Sequence, residues 1–220
     1  MRKIIHNRHR FIASLVKNKD VLDLGCAGSV VELGDTHLWL HRIISESARK
    51  VVGLDGSAEG VQKMKELGYD AWLGDFSDFD LKSTYDVVVA GEILEHSSNP
   101  AGILASIHKH LRPGGILVVS VPNILSIVYV MENFLLGHEI DNPDHICCYT
   151  ETTLVRTLRK AGYDIDAVHY IAQYSGYLTR NKWIKVLFMI KQIIQVLAGF
   201  VRPSYCQNIL VVARPAGKAQ

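Results

Sequence analysis

Side chains nearly vanish at Gly25-Cys26-Ala27-Gly28, directly after the apolar run of Val21, Leu22 and Leu24. A ligand can touch the backbone at such a turn, and a helix opening just after it presents free N–H groups to polar atoms. Thirty residues after Gly25, Asp55 ends a second apolar run and is followed by Gly56 and Ser57. A carboxylate at a strand tip accepts hydrogen bonds from both hydroxyls of a ribose; with Ser57 and Glu59 behind it, Asp55 can also serve as a helix cap. Asp75 follows a third run, where it can accept from the exocyclic amine of an adenine while Phe76 packs on the ring face. Together these positions describe a nucleotide-type cofactor site at the carboxyl ends of successive strands. Two histidines add proton chemistry: His96 follows Glu95 just past a fourth run, and His145 closes Asn142-Pro143-Asp144-His145. Imidazole suits the removal of a hydroxyl proton near neutrality, and a histidine at such a place also caps a helix or pins a loop.

The elements that must position these residues alternate. Strands are expected at Val21–Leu24, 50–55, Tyr69–Leu73, Tyr85–Gly91 and Ile116–Val121, the last stopped by Pro122 and Asn123. Between them, helical spacing starts near Ser29 and runs through Ile44, then covers Ala58–Leu67 before Gly68, and Ala101–Leu111 between Pro100 and Arg112-Pro113-Gly114-Gly115. Five strand–helix repeats with acidic or Gly-rich strand ends specify an α/β fold with a doubly wound parallel sheet and its ligand across those ends. Ile4, Ile5, Phe11, Ile12, Leu15 and Val16 give residues 1–18 one apolar stripe, read as an N-terminal helix. Its Arg8 and Arg10 either reach a cofactor carboxylate or acidic substrate, or lie on a solvated face.

Composition narrows the function classes. At 220 residues, with 48% hydrophobic and 21% charged content, the chain builds one good-sized core, and one domain over 1–220 is expected. A formal net charge of +2 lacks the concentrated basic face of a nucleic-acid binder, so no nucleic-acid partner is expected. Cys26, Cys147, Cys148 and Cys206 have no CxxC spacing, which disfavours a disulfide framework or a zinc site and fits a reducing compartment. Residues 1–20 carry basic residues without an apolar core long enough for an export signal, so a cytoplasmic location is expected. His138, Glu139, Asp141, Asp144 and His145 cluster locally, yet their spacing matches no standard zinc pattern and turn chemistry accounts for them. No metal is expected.

Two segments exceed a minimal domain. The connection over 124–150 is long enough for a lid or acceptor loop, with a short helix at Ile124–Leu136 whose Tyr129, Met131 and Phe134 either line an acceptor pocket or pack as a lid. A helix at Thr152–Ala161 and strands at Tyr163–Ile171 and Asn208–Ala213 follow, with an insertion over 174–206. Within it, Trp183–Val201 is interrupted by Lys185, Lys191, Gln192 and Gln195, and at 100° per residue these four gather opposite Val186, Leu187, Ile190, Ile193, Ile194, Leu197 and Val201. That is an amphipathic helix rather than a span. Three roles stay open for 183–201: a cover over the acceptor pocket, a homodimer contact, or an interfacial helix resting on a membrane.

VLDLGCAGS, VVGLDGS, GDFSDF, YDVVVAGEILEH, LRPGGILVVSVPN and DHICCYTETTLVRTLRKAGY, in this order, resemble class I S-adenosylmethionine-dependent methyltransferases. The likeness covers roughly 19–170 plus the last strand, and within the superfamily it is greatest to the small-molecule group that includes ubiquinone-pathway O-methyltransferases. The resemblance implies a Rossmann-like, mostly parallel seven-stranded sheet with an antiparallel last strand, a cofactor-binding half over 19–123 and a helical insertion between strands six and seven. It implies S-adenosyl-L-methionine as methyl donor, cradled by Gly25, Cys26, Ala27 and Gly28, with Asp23 steadying the turn. Asp55 with Gly56 would hold the ribose, Asp75 with Phe76 the adenine, and the Gly91 backbone the amino group. His96 and His145 would serve as bases, with a hydroxyl on a small-molecule, sugar-linked or lipid-linked acceptor as the expected nucleophile. Where the family usually has Gly-x-Gly-x-Gly, this chain has Gly25-x-Ala27-x-Ser29, so tighter contacts and weaker cofactor binding are expected. That departure motivates the alternative of a catalytically silent cofactor-binding protein. A dinucleotide loop fits worse, because its third glycine falls on Val30.

Overall fold

Asn7 decides how the chain begins. In the computed structural model, which describes residues 2–28, 30, 34–36, 38–137, 142–172 and 182–217, the Asn7 side chain accepts from the backbone N–H of Arg10 at 2.8 Å and opens helix α1, Arg8–Val16. The backbone at such a cap is extended, so the segment before it forms strand β1, Arg2–Ile5, instead of the first turns of a helix over 1–18. β1 pairs parallel with β7, Tyr163–Ile171, and makes the sheet eight-stranded rather than seven.

The other strands are β2 (Asp20–Leu24), β3 (Lys50–Asp55), β4 (Ala71–Leu73), β5 (Tyr85–Gly91), β6 (Leu111–Pro122) and β8 (Asn208–Pro215). Their order in space is β1-β7-β8-β6-β5-β2-β3-β4, parallel throughout except for β8, which runs antiparallel between β6 and β7. The expected antiparallel last strand is β8, which lies inside the sheet because β7 and then β1 continue it outward. From β2 the chain steps outward through β3 and β4, then returns to β5 on the other side of β2. A crevice opens at the carboxyl ends of strands where the order reverses in this way.

Period-two alternation sends side chains to both faces. Leu22, Leu24, Val88, Ala90, Leu117 and Val119 belong to one buried cluster, with Ile103, Leu104 and Ile107 of α4 (Pro100–His110) and Leu154 and Leu158 of α6 (Glu151–Lys160). Val21, Val87, Val89 and Val118 join Ile12 and Val16 of α1 and Ile44 of α2 (Leu40–Ser47) on the other face. The single helix expected from Ser29 to Ile44 does not form. Gly34 sits at φ +62°, residues 35, 36, 38 and 39 are non-helical, and Trp39 is extended before α2 begins. α3 spans Ala58–Glu66, α5 Ile127–Leu136 and α7 Lys182–Val201.

α7 lies with its polar side inward. Gln195 is fully buried, its amide reaching Gln207, while Gln192 donates to the Ala172 carbonyl at 2.7 Å and Lys191 pairs with Glu132 of α5. The apolar side faces out: Val186, Met189, Ile190, Ile193, Leu197 and Phe200 are exposed, Phe200 at 76%. Neighbouring α5 adds Val130, Leu135 and Phe134, the last 86% exposed. Among the described residues, no helix is long and apolar enough to cross a membrane.

Candidate cofactor and acceptor site

The turn after β2 is held from below. Asp23 shares a sheet face with Val21, where α2 covers it, and His41 Nδ1 donates to Asp23 Oδ2 at 2.8 Å with both side chains buried. Trp39 Nε1 donates to the Cys26 carbonyl at 2.7 Å, which explains why the chain leaves the helix there to bury the indole. Burial, with Asp23 and Asp55 nearby, pushes the Cys26 thiol far up, so this cysteine stays protonated and packs as an apolar group. Gly25 sits at φ +72°, and a Cβ there would lie 2.5 Å from Ile93 Cγ2. Any side chain here must displace Ile93 and hold a left-handed backbone.

Asp55 joins two backbones across the crevice. Oδ2 accepts from Ala27 N–H and Oδ1 from Ser57 N–H, each at 2.8 Å. The cap of α3 is Ser57, whose Oγ accepts from Gly60 N–H at 3.1 Å, so capping falls to Ser57 rather than to Asp55. Ala27 is buried in a cluster with Val61 and Met64 of α3. A Cβ added to Gly60 would come within 2.6 Å of the Ala27 methyl. The extra carbon of Gly25-x-Ala27 is thus housed against α3, which removes the reason for expecting a tighter cofactor contact; Ser29 lies outside the described residues. Gly28 and Gly56 have open space where a side chain would stand.

Asp75 is exposed beyond β4, and its Oδ1 accepts from both the N–H and the hydroxyl of Ser77 at 2.8 Å, which hold the carboxyl below its usual range. Phe76 is half-buried against the larger core cluster. At the end of β5, a Cβ on Gly91 would lie 2.6 Å from the Arg8 guanidinium. Arg8 donates to Glu92 Oε1 at 2.8 Å, which also accepts from Asn208 Nδ2 at 2.8 Å. Arg10 is exposed, so of the two N-terminal arginines only Arg8 reaches the strand ends.

The histidines converge. Glu95 and His96 occupy a single 3-10 turn, Leu94–His96, and the Glu95 carbonyl accepts from Ile146 and Cys147 N–H at 2.9 and 3.0 Å. This ties the 144–147 segment to the end of β5 and brings the His96 and His145 rings to 4.7 Å between centroids. The carboxylate of buried Glu95 and the two imidazoles place ligand atoms all within 4.8 Å of one another. Beside them lies a cavity of about 310 Å³, lined by Glu95, His145, Cys147 and Tyr149 and by Tyr129, Val130 and Asn133 of α5. Among the described residues, its lining comes from α5 and from the segments after β5 and β6. Burial, with Cys147 and Glu95 close by, pushes the Tyr149 hydroxyl up to about 12. Met131 and Phe134 are absent from the lining. Glu95 was visible as the neighbour of His96, whereas Trp39, His41 and Gly60 carry no signal in the sequence because their partners are remote.

A family model described as a methyltransferase domain matches residues 1–168. The chain is similar to the ubiquinone biosynthesis O-methyltransferase of Aeromonas salmonicida, 26% identical over 197 residues that cover 85% of this chain and 78% of the relative. It is similar to a protein of Mycolicibacterium smegmatis named for S-adenosylmethionine-dependent methyltransferase activity, 29% identical over 146 residues, 64% of this chain and 54% of the relative. The chain therefore spans about half the length of that second relative. In structure it resembles a chain of the Haloferax volcanii complex between the Trm112 methyltransferase activator and a methyltransferase, with TM-score 0.64, 17% identity and coverage of 96% and 89%. An S-adenosylmethionine-dependent methyltransferase from Mesorhizobium loti gives TM-score 0.59 at 18% identity, covering 94% and 95%. At these identities the structural likeness shows the fold.

Proposed function

The chain belongs to the methyltransferase-domain family, and from that membership we propose that it moves a methyl group to a hydroxyl oxygen of a small-molecule acceptor. It is an enzyme, and S-adenosyl-L-methionine is its methyl donor. The observation that carries the acceptor reading is the cavity of about 310 Å³ with Glu95 and His145 on its wall, at the carboxyl ends of β5 and β6. The relative from Aeromonas salmonicida, named as an O-methyltransferase, supports oxygen.

The residues present fit the donor, because Gly28 and Gly56 leave the backbone open on either side of the Asp55 carboxylate. When bound, S-adenosylmethionine supplies a methyl group made electrophilic by a sulfonium. Gly25, Cys26, Ala27 and Gly28 would hold its methionine part, on a turn that Asp23 and His41 steady. Asp55 with Gly56 would accept the ribose hydroxyls, Asp75 with Phe76 the adenine, and the Gly91 carbonyl the amino group. Arg8, at Gly91, offers a guanidinium to the carboxylate of that same end. Placement supplies most of the acceleration in such a transfer, since donor and nucleophile need chiefly to be held close and in line. Glu95, His96 and His145 form the group that deals with the acceptor's hydroxyl proton. Calorimetry with S-adenosylmethionine and S-adenosylhomocysteine, beside Asp55→Ala, tests the cradle. Micromolar binding, about −8 kcal/mol, lost in the variant is expected. Radiolabelled transfer to phenols and sugars tests the acceptor; a methyl group found on nitrogen or carbon overturns the oxygen reading, and cofactor binding without product across the panel favours the silent alternative.

A second reading concerns the exposed apolar side of α5 and α7. Residues 167–220 contain seven Lys or Arg and no Asp or Glu, although the whole chain carries only +2; Lys191 and Arg214 are paired with Glu132 and Asp166, which leaves the others for a lipid surface. An apolar face on a basic segment suits an anionic lipid surface, where each basic residue contributes ~1 kcal/mol. An acceptor with a lipid tail would then meet the enzyme at the bilayer. The expected outcome is co-sedimentation with phosphatidylcholine vesicles containing phosphatidylglycerol, weakened by salt and abolished by Met189→Asp with Leu197→Asp. Absence of vesicle binding, or a dimer by light scattering that this double variant converts to monomer, overturns the lipid reading, and the second result puts another copy of this chain there.

A further inference from the structure

We infer that Lys191 of α7 and Glu132 of α5 position the α5 wall of the proposed acceptor cavity, which makes the helical insertion a specificity-determining element of that site. This rests on the methyl-transfer reading of the same cavity and specifies what sets the cavity's width.

α5 is anchored to the core at its first turn. Ser126 is fully buried, its hydroxyl accepts from Val128 N–H at 3.3 Å, and Val128 is 3% exposed. The cavity residues Tyr129, Val130 and Asn133 come after that anchor. Past them Phe134 and Leu135 are exposed, and the helix closes at Gly137, beyond which His138, Glu139 and Asp141 lie outside the described residues. A helix held at one end pivots there, so the place of the wall depends on a second support. Glu132 supplies it. One residue before Asn133, it pairs with Lys191, and the two side chains are 13% and 21% exposed.

α7 can serve as a strut because the sheet holds it independently of α5. Gln192, Gln195 and Gly199 recur at steps of three and four and share one face of the helix. Gln192 donates to the Ala172 carbonyl just past β7 at 2.7 Å, and Gln195 is fully buried. A Cβ on Gly199 would stand 3.0 Å from Cys206 Sγ and 3.3 Å from Ile4 Cδ1 of β1, so the helix backbone itself is pressed against the sheet. Lys191, four residues before Gln195, stands beside that face. Its ammonium therefore reaches α5 from a fixed base.

Charge turns this contact into a positioning one. Removing one partner of an ion pair so far out of water leaves the other charge uncompensated, and that charge is driven toward solvent. With Lys191 neutral, Glu132 regains water by turning outward, and α5 pivots about Ser126 with it. With Glu132 neutral, α5 loses its hold on the strut. Either way Tyr129, Val130 and Asn133 recede from the rest of the lining. Small acceptors then lose their wall while bulky ones are admitted. The turn after β2, Asp55 and Gly91 belong to other elements and stay in place.

The cysteines gauge the cavity without any turnover. Cys147 is half-buried on its lining, Cys148 is exposed there, and Cys26 and Cys206 are buried and absent from the lining. In the full chain carrying Cys148→Ser, alkylation of Cys147 by N-ethylmaleimide, followed by mass spectrometry, should become about fivefold faster or more with Lys191→Met or Glu132→Gln, within the range that contacting pairs transmit. Cys26 and Cys206 should stay unlabelled. The exchange of Lys191→Glu with Glu132→Lys should bring the rate back to within about twofold of its parent. Without the cysteine change, Lys191→Met should raise the ratio of kcat/KM for a bulky phenol over a small one about fivefold or more, at unchanged S-adenosylhomocysteine affinity. An unchanged Cys147 rate or an unchanged acceptor ratio overturns the strut. Labelling of Cys26 and Cys206 together with Cys147 reveals general loosening and overturns it too, as does an exchanged pair that restores nothing. Faster Cys147 labelling that the exchange reverses, with no methyl transfer to any acceptor by the wild type, keeps the strut and overturns the methyl-transfer reading instead.

Discussion

Ala27 and Gly60 share one space: the methyl of Ala27 stands 2.6 Å from where a Cβ on Gly60 would be. Both carbons are fixed to backbone, one in the turn after β2 and the other in the first turn of α3, so neither can rotate away. Gly60→Ala should therefore push the turn out of place, at a cost of about 1–3 kcal/mol, and weaken S-adenosylmethionine binding. Ala27→Gly alone loses only the packing of one methyl. Combined with Gly60→Ala it should restore most of the stability and affinity, because the methyl has merely changed sides. Chemical denaturation and calorimetry on the two single variants and the double variant read this coupling; additive losses would show that the contact is unimportant.

Gly25 and Gly91 look alike in sequence but differ in what surrounds them. At Gly25 a Cβ meets Ile93 Cγ2 at 2.5 Å and the backbone is left-handed, so Gly25→Ala should cost about 2 kcal/mol or more, combining strain with overpacking. At Gly91 the obstacle is the far end of the Arg8 side chain, 2.6 Å away. That end swings aside cheaply. Gly91→Ala should leave the melting temperature within a few degrees of wild type while reducing cofactor affinity about tenfold, because Arg8 leaves the position over the strand end. Equal destabilisation by both substitutions would contradict this contrast.

What could be read from residue order was whatever local chemistry decides. Leu22 and Leu24 had to be a buried strand, and Asp55 had to stand at a strand tip, because apolar runs and the turns that end them are short-range features. Residues Arg2–Ile5 read as helix because Ile4 and Ile5 fit an apolar stripe; the extended Asn7 cap and the free edge of β7, both beyond the stripe's reach, make them a strand. The polar stripe of α7 was visible too. Which side faces inward depends on remote partners, since Gln192 bonds to the carbonyl of Ala172 and Gln195 reaches Gln207. The same holds for His145, which meets His96 only because Ile146 and Cys147 bond to Glu95.

Acid should loosen the start of the central strand β2, where Asp20 is held. Hydrogen bonds from Arg49 and Arg112 lower its carboxyl to about 2. A depressed folded-state value means the contribution to stability is fully present above the unfolded value near 4. It is lost as pH falls from about 4 through about 2. Asp20→Asn should lower stability at pH 7 and flatten its fall over that window. Denaturant midpoints at pH 7, 4, 3 and 2 measure it, and parallel curves for the two proteins would exclude Asp20 as the titrating group.

Val130 lines the proposed acceptor cavity from α5 yet is half exposed, so its side chain can grow inward without disturbing the core. Val130→Trp adds a bicyclic ring to a space of about 310 Å³. None of the residues proposed to cradle the cofactor, Gly25 through Gly28, Asp55 or Gly91, lines that cavity. S-adenosylhomocysteine affinity should accordingly stay within about twofold of wild type, while the acceptor KM rises tenfold or more and bulky acceptors fail before small ones, since overpacking a binding space costs about 1–3 kcal/mol. The split between the two ligands is what identifies the cavity. If cofactor affinity falls in step with acceptor KM, the ring has moved α5 and the end of β6 together, and the cavity does not serve the acceptor alone. If neither changes, the acceptor binds elsewhere along the crevice.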